Sequence, residues 1–377
     1  MHGRREPQRI ETVIIGGGQS GLATGYHLQR RGRSFVILDA ENRVGDGWRK
    51  RWDSLRLFTP ARLSALPGLR CPGPAWDFPT RDEFADYLER YAGHFDFDVR
   101  SGLHVDRIQR LGDRYMVVAG EECFEADHVV LATGAHREPR LPAFAPELAP
   151  EILQMHSSNY RRPEELRPGS VLVVGAANSG AEIALELTGQ RQVWLAGRQP
   201  PVFPTRSGSI RGRVAMTVLV FAARHLVTIR TPLGRRVRPF ILTHPAPLIR
   251  VKPADLAAAG VRRTGRVASV RDGRPVVEDG TALDVANVIW CTGFRSDFSW
   301  IDLPAFPGGA EPVHYRGVVA GEPGLYLVGQ LFQYALASTF IAGAARDADY
   351  IAAAIESRVR GRLRSAERPG AARSATV

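Results

Sequence analysis

The residues best suited to chemistry are two sets of glycines. In Gly16-Gly17-Gly18-Gln19-Ser20-Gly21 a G-x-G-x-x-G spacing follows the apolar run Val13-Ile14-Ile15 and precedes an apolar-periodic stretch through Leu22, Tyr26 and Leu28. Gly16 permits a sharp turn, Gly18 lets the backbone approach a pyrophosphate, and Gly21 lets helix and strand pack closely. The helix that begins near Gln19 and Ser20 offers free N–H groups and a positive dipole end to an anion. Asp39 closes the next apolar run, 18 residues beyond Gly21, where a carboxylate binds ribose hydroxyls. The chemistry implied is the holding of a dinucleotide.

The pattern recurs 159 residues later as Val171-Leu172-Val173-Val174 followed by Gly175-Ala176-Ala177-Asn178-Ser179-Gly180. Gly175, Ala177, Asn178, Ser179 and Gly180 are therefore candidate contacts to a second nucleotide, with alanine standing where the first turn has Gly18. The strand after this turn ends in Arg198 rather than an acid, which suits a 2′-phosphate and points to NADP; Arg206 is a further candidate cation. Two fingerprints in one chain imply two nucleotide-binding domains. Thr133 and Gly134, in Ala132-Thr133-Gly134, and Thr292, in Thr292-Gly293-Phe294, end apolar strands where backbone must pass a cofactor. Gly329 ends a further apolar run, Gly324–Gly329. Trp48 and Arg49 lie in a glycine-punctuated loop, either a packed surface loop or a lid that stacks on a planar ring and meets phosphate.

No Ser-His-Asp set or metal cluster is visible, and no side chain is singled out as an acid or base. Cys71, Cys123 and Cys291 are far apart with no Cys-x-x-Cys, so neither a zinc site nor a redox disulphide is supported. A reducing, cytoplasmic setting is expected. The N-terminus runs into a core strand without a leader-like apolar segment, and no run is long enough to span a membrane. The net charge of +11 invites a nucleic-acid reading, yet Ser357–Val377 alone carries six arginines against one glutamate. No basic face interleaved with aromatics appears, and nucleic-acid binding is not expected.

The elements that must position these residues make an α/β chain of two Rossmann-like, three-layer dinucleotide-binding domains, one inserted into the other. Thr80 and Glu83 form a capping box ahead of a helix through Phe84, Tyr87, Leu88 and Tyr91. Alternating stretches from Val99 to Ala126 predict an antiparallel hairpin layer. Residues 136–169 are proline-rich and read as a linker. Between 200 and 260 lies an insertion with an apolar centre from Val214 to Ala223, flanked by arginines. Residues 210–238 admit three uses: contact with a membrane surface, a lid over a substrate channel, or a homodimer contact. Being apolar nearly all round, the centre is expected to be buried within the protein. A helix is expected to start near Ala337-Ser338-Thr339 and run through Ile351.

Taken together, Gly16–Gly21, Asp39, Gly45–Arg49, Ala132–Gly134, His156, Tyr160, Gly175–Gly180, Ile289–Asp297 and Leu325–Gly329 resemble the flavin-containing monooxygenase-like flavoproteins. That group includes the plant YUCCA-type indole-3-pyruvate enzymes and bacterial flavoproteins described as involved in potassium transport. The resemblance implies an FAD domain of residues 1–155 plus 300–377 and an NADPH domain of about 165–298. It assigns Gly16, Gly18, Gln19, Ser20, Gly21, Asp39, Trp48, Arg49, Thr133, Gly134 and Gly329 to FAD, and the second set with Arg198 and Thr292 to NADPH. The implied reaction passes a hydride from NADPH to flavin, and oxygen then adds at C4a as a hydroperoxide that attacks a small organic substrate. A reductase or oxidase without that adduct, and a sensor or partner of a membrane transporter, are the alternatives. Pro150 and Ile152 stand where the family motif around His156 and Tyr160 has Phe and Gly. Phe58 stands where it has a flavin-side asparagine.

Overall fold

The computed structural model describes residues 6–134, 138–205 and 209–366. β1 (Gln8–Ile15) enters the middle of a sheet, and Val13, Ile14 and Ile15 are buried on both faces, as an unbroken branched run demands. The chain turns at Gly16 into α1 (Gln19–Gln29), and β2 (Phe35–Leu38) returns parallel to β1, setting Val13 beside Val36 and Ile15 beside Leu38. α2 (Asp46–Arg49) is a single turn. α3 (Arg81–His94) starts on the expected capping box: Glu83 N–H donates to Thr80 Oγ1 at 3.2 Å and Thr80 N–H to Glu83 Oε2 at 2.8 Å. Its buried face of Phe84, Tyr87, Leu88 and Tyr91 clamps the loop before it: Leu66 N–H donates to Tyr87 Oη, which donates to the Leu69 carbonyl. β3 (Val99–Arg100) joins β2. β4 (Arg107–Leu111), β5 (Arg114–Ala119) and β6 (Glu122–Leu131) form the expected antiparallel layer, and β6 runs on parallel to β1.

The middle of the chain builds a second, wholly parallel sheet. Past β7 (Glu138–Pro139) come β8 (Leu153–His156), β9 (Val171–Val174), α4 (Asn178–Leu187) and β10 (Val193–Ala196). Then come α5 (Ile210–His225), α6 (Pro232–Thr243), α7 (Pro253–Ala258), β11 (Arg262–Thr264), the hairpin β12 (Val267–Arg271)–β13 (Arg274–Val277), β14 (Asn287–Trp290) and β15 (Phe294–Arg295). The sheet order is β11-β10-β9-β14-β8. Two expectations are corrected here. The proline-rich stretch is more than a linker, because its proline-free residues Leu153–His156 pair with β14. The apolar centre of the insertion is not enclosed: in α5 only Gly212, Met216, Val220 and Ala223 are buried, while Ile210, Val214, Val218 and Phe221 face solvent. Counting apolar residues overlooked which side of the helix has a partner. Arg206 and the end of the basic tail lie outside the described residues.

The chain then returns to the first sheet. β16 (Ile301–Asp302) pairs with β4, β17 (His314–Tyr315) with β18 (Val318–Val319), and β19 (Leu325–Leu327) runs parallel to β6. One nucleotide-binding unit is thus inserted into the other, and at the crossing β7 pairs antiparallel with β15. The last helix, α8 (Ile341–Ala366), begins later than expected. Leu336–Thr339 form a 3-10 turn whose Ser338 Oγ accepts from Tyr334 and Ala335 N–H, and Phe340 is extended. α8 packs Ala348, Ile351, Ala352 and Ile355 into one core with Leu22 and Leu28, and Asp349 pairs with Arg31 at 2.8 Å.

Candidate functional site

The two glycine turns are copies of one geometry. Gly16 and Gly175 take φ of 111° and 114°, a region closed to ordinary side chains, and a Cβ on either would strike the carbonyl of Ala132 or Cys291 at the end of the neighbouring strand. A Cβ on Gly21 or Gly180 would overlap the carbonyl of Gly16 or Gly175. The middle positions are different: Gly18 and Ala177 are extended (φ −76° in both), and Gly18 has nothing within 4 Å of a built Cβ. Ala177 shares the backbone conformation of Gly18, an extended one that alanine adopts without strain. Neither α1 nor α4 has a side-chain cap or an acidic residue in its first turn, so both N-termini present bare N–H groups.

At the first turn the Asp39 carboxylate lies under Gly17, where any side chain would meet it, and accepts from Glu41 N–H at 3.3 Å. Burial raises its pKa, against those backbone donors. Ser20 packs on Gly329, where a Cβ would come 2.5 Å from Ser20 Oγ. Gln19 Oε1 accepts from the Trp48 indole N–H at 3.3 Å, and the Trp48 ring meets Phe84 edge-on. Thr133 Oγ1 is shielded from solvent and has no partner among the described residues. Gly134 has φ of 74° and open space beside it. Arg49 is otherwise engaged: it donates to the Val44 carbonyl and pairs with Asp46, Asp86 and Glu89 at 2.7–3.3 Å.

At the second turn Asn178 braces a loop, its amide donating to the Pro247 carbonyl at 2.9 Å and accepting from Ile249 N–H at 3.0 Å. Ser179 lies beside it in the first turn of α4, and Arg198 is exposed just past β10. Thr292 Oγ1 donates to the Arg140 carbonyl. His156 ties β8 to the turn after β14: its Nδ1 accepts from Ser158 N–H at 3.1 Å, so Nε2–H donates to the Gly293 carbonyl at 3.0 Å. Tyr160 Oη donates to Glu186 Oε2 at 2.9 Å. Both are struts.

Loop 51–56 crosses from the first unit to the second. Asp53 N–H donates to the Arg161 carbonyl at 2.8 Å, and Arg250 bridges the Arg56 carbonyl (3.1 Å) and Glu182 Oε1 (3.3 Å). Burial pushes Glu182 up to about 7. On this seam sits a residue that sequence reasoning missed. The half-buried Arg51 lies 5.5 Å over the Phe294 ring, with no carboxylate in ion-pair range among the described residues; burial and the Arg161 guanidinium lower its pKa. Nothing distinguishes it in an arginine-rich loop. Gln330 was also missed: it is buried directly after Gly329, its Nε2 has no partner among the described residues, and its place at a strand end was a usable signal. Cys71 and Cys291 offer no thiolate chemistry, since burial drives Cys71 to about 11 and Cys291 to about 12.

Two sheets, one mixed and one wholly parallel, each with a parallel strand, a glycine turn and an uncapped helix at its centre, define a protein with two dinucleotide-binding domains. The chain belongs to the pyridine nucleotide-disulphide oxidoreductase family, whose pattern matches residues 13–219. It is 38% identical over 345 residues to the CzcO-like oxidoreductase of Geobacillus kaustophilus (strain HTA426), covering 91% of this chain and 97% of that one. It is 29% identical over 359 residues to a probable indole-3-pyruvate monooxygenase, YUCCA7, of Arabidopsis thaliana, covering 84% and 82%. Among solved structures, the flavin-containing monooxygenase of Stenotrophomonas maltophilia superposes with a TM-score of 0.74 at 29% identity, covering 93% of this chain and 99% of that one.

Proposed function

We propose that the protein is an NADPH-dependent FAD monooxygenase acting on a small organic molecule. The observation that carries this reading is the pair of matched turns with opposite charges beyond them, Asp39 at the first and Arg198 at the second. FAD fits the first turn: Gly16 and Gly21 let the turn close tightly on its own backbone, Gly18 leaves open space for a pyrophosphate, Asp39 accepts from ribose hydroxyls, and Thr133 Oγ1 and Gln330 Nε2 have no partner among the described residues at the adjoining strand ends. NADPH fits the second: Gly175, Ala177, Ser179 and Gly180 surround the bare start of α4, Arg198 takes the 2′-phosphate, and Arg51 supplies a cation from the seam. When bound, the flavin supplies hydride acceptance from the nicotinamide and delivers two electrons to O2, one oxygen atom going to the substrate and the other to water.

The chain's own part is placement. His156 and Tyr160 hold the second unit's strand ends, and the 51–56 loop sets that unit against the first. The three separated cysteines provide no dithiol, so the disulphide chemistry in the family's name has no reactive pair here. The names of the Stenotrophomonas and Arabidopsis relatives support oxygenation. The test is anaerobic reduction of the FAD-bound protein. NADPH bleaches the flavin faster than NADH, and Arg198→Ala removes most of that preference, roughly tenfold, through the lost 2′-phosphate contact. Equal rates with both nucleotides in the unaltered protein would overturn the assignment of the second turn.

A further inference from the structure

We infer that α5 and α6 form a docking surface for a lipid bilayer bearing acidic headgroups. α5 carries two stripes. Gly212, Met216, Val220 and Ala223 point inward, and the helix pair is anchored where Ile229 N–H donates to the Tyr334 carbonyl and Leu336 N–H to that of Val227. The other stripe, Ile210, Val214, Val218 and Phe221, repeats at 4, 4 and 3 residues and is 78%, 60%, 61% and 56% exposed. Leu226, Leu233, Phe240 and Leu242 are exposed as well, so half of the large apolar side chains exposed among the described residues lie between 210 and 242. A cluster of that kind marks an interaction surface.

Charge identifies the occupant. No aspartate or glutamate occurs between Glu186 and Asp255. Arg211, Arg213, Arg230, Arg235, Arg236 and Arg238 are all exposed, and none has a carboxylate within ion-pair distance among the described residues. A second copy of the same face would bring six more guanidiniums against these six with no acid to offset them, which disfavours a symmetric dimer. A surface of acidic phospholipid accepts both features, the apolar stripe at the acyl boundary and the arginines at the headgroups. At 16 and 12 residues the helices lie on such a surface and do not cross it.

The test is co-sedimentation of the full-length FAD-bound protein with phosphatidylcholine vesicles, with and without phosphatidylglycerol, at low and high salt. The inference predicts binding to the mixed vesicles, weaker binding in high salt and little binding to phosphatidylcholine alone. Val218→Ser/Phe221→Ser reduces binding by at least about tenfold through lost apolar contact. Arg235→Gln/Arg236→Gln/Arg238→Gln reduces it about a hundredfold at low salt. Both variants change exposed residues away from the nucleotide turns and keep the parent's melting temperature and NADPH oxidation rate. Failure to bind mixed vesicles, binding that neither variant weakens, or a dimer that Val218→Ser/Phe221→Ser dissociates would overturn it. The readout is independent of whether the enzyme oxygenates.

Discussion

At the scale of single residues, two buried cationic or ionisable groups carry measurable consequences. His128, in β6, is fully buried with neither ring nitrogen partnered among the described residues, and burial lowers it to about 4. Its unfolded value is higher, near 6.5, so the unfolded chain binds a proton that the folded chain refuses. Stability is intact above the unfolded value and falls as pH drops from about 6.5 toward 4, by about 3 kcal/mol from this group. Chemical denaturation across that window should show the loss in the parent and a correspondingly flatter curve in His128→Phe. Arg51 makes the opposite exchange. A half-buried guanidinium without a counter-ion is a burden until an anion arrives. Arg51→Met is expected to stabilise the ligand-free protein by about 1 kcal/mol while weakening NADP+ binding about tenfold or more, measured by melting and by titration of the flavin spectrum. A variant that is less stable yet binds NADP+ normally would show that Arg51 is structural.

At the scale of elements, the glycine turns separate ligand-facing from fold-facing positions. Gly18→Ala is expected to fold and melt like the parent, because nothing surrounds its Cβ, but to hold FAD more weakly. Gly21→Ala places a methyl in the Gly16 carbonyl and should fail to fold or lose several kcal/mol. If both variants bound FAD equally, the first turn would not be the pyrophosphate site. These units were readable from the amino-acid order because their signals are local: apolar run, turn, helix start and strand end fall within about thirty residues, as does the Thr80–Glu83 box. β8 was not readable, since Leu153–His156 becomes a strand only through β14, more than 130 residues away. The outward face of α5 escaped for a related reason: composition shows that residues are apolar, whereas partners decide which of them are covered.

At the scale of the whole molecule, two nucleotide units share one seam, crossed by the β7–β15 ribbon and bridged by loop 51–56. Two nucleotide units were legible because the same fingerprint appears twice and its closing strands carry Thr-Gly in both copies; the insertion of one into the other was implied by the family resemblance. The seam was not legible, because Arg51, Arg250 and Glu182 look like any other charges until the fold brings them together. In the proposed reaction, electrons enter as hydride at the second turn and leave to oxygen, at a flavin held by the first, in a way that oxygenates a substrate. The most direct measurement is rapid mixing of the NADPH-reduced, FAD-bound protein with oxygenated buffer, following the visible spectrum and hydrogen peroxide together. The account predicts a spectrally distinct phase between reduced and oxidised flavin, with peroxide released only as that phase decays. A single-step return to oxidised flavin with immediate, stoichiometric peroxide would contradict it.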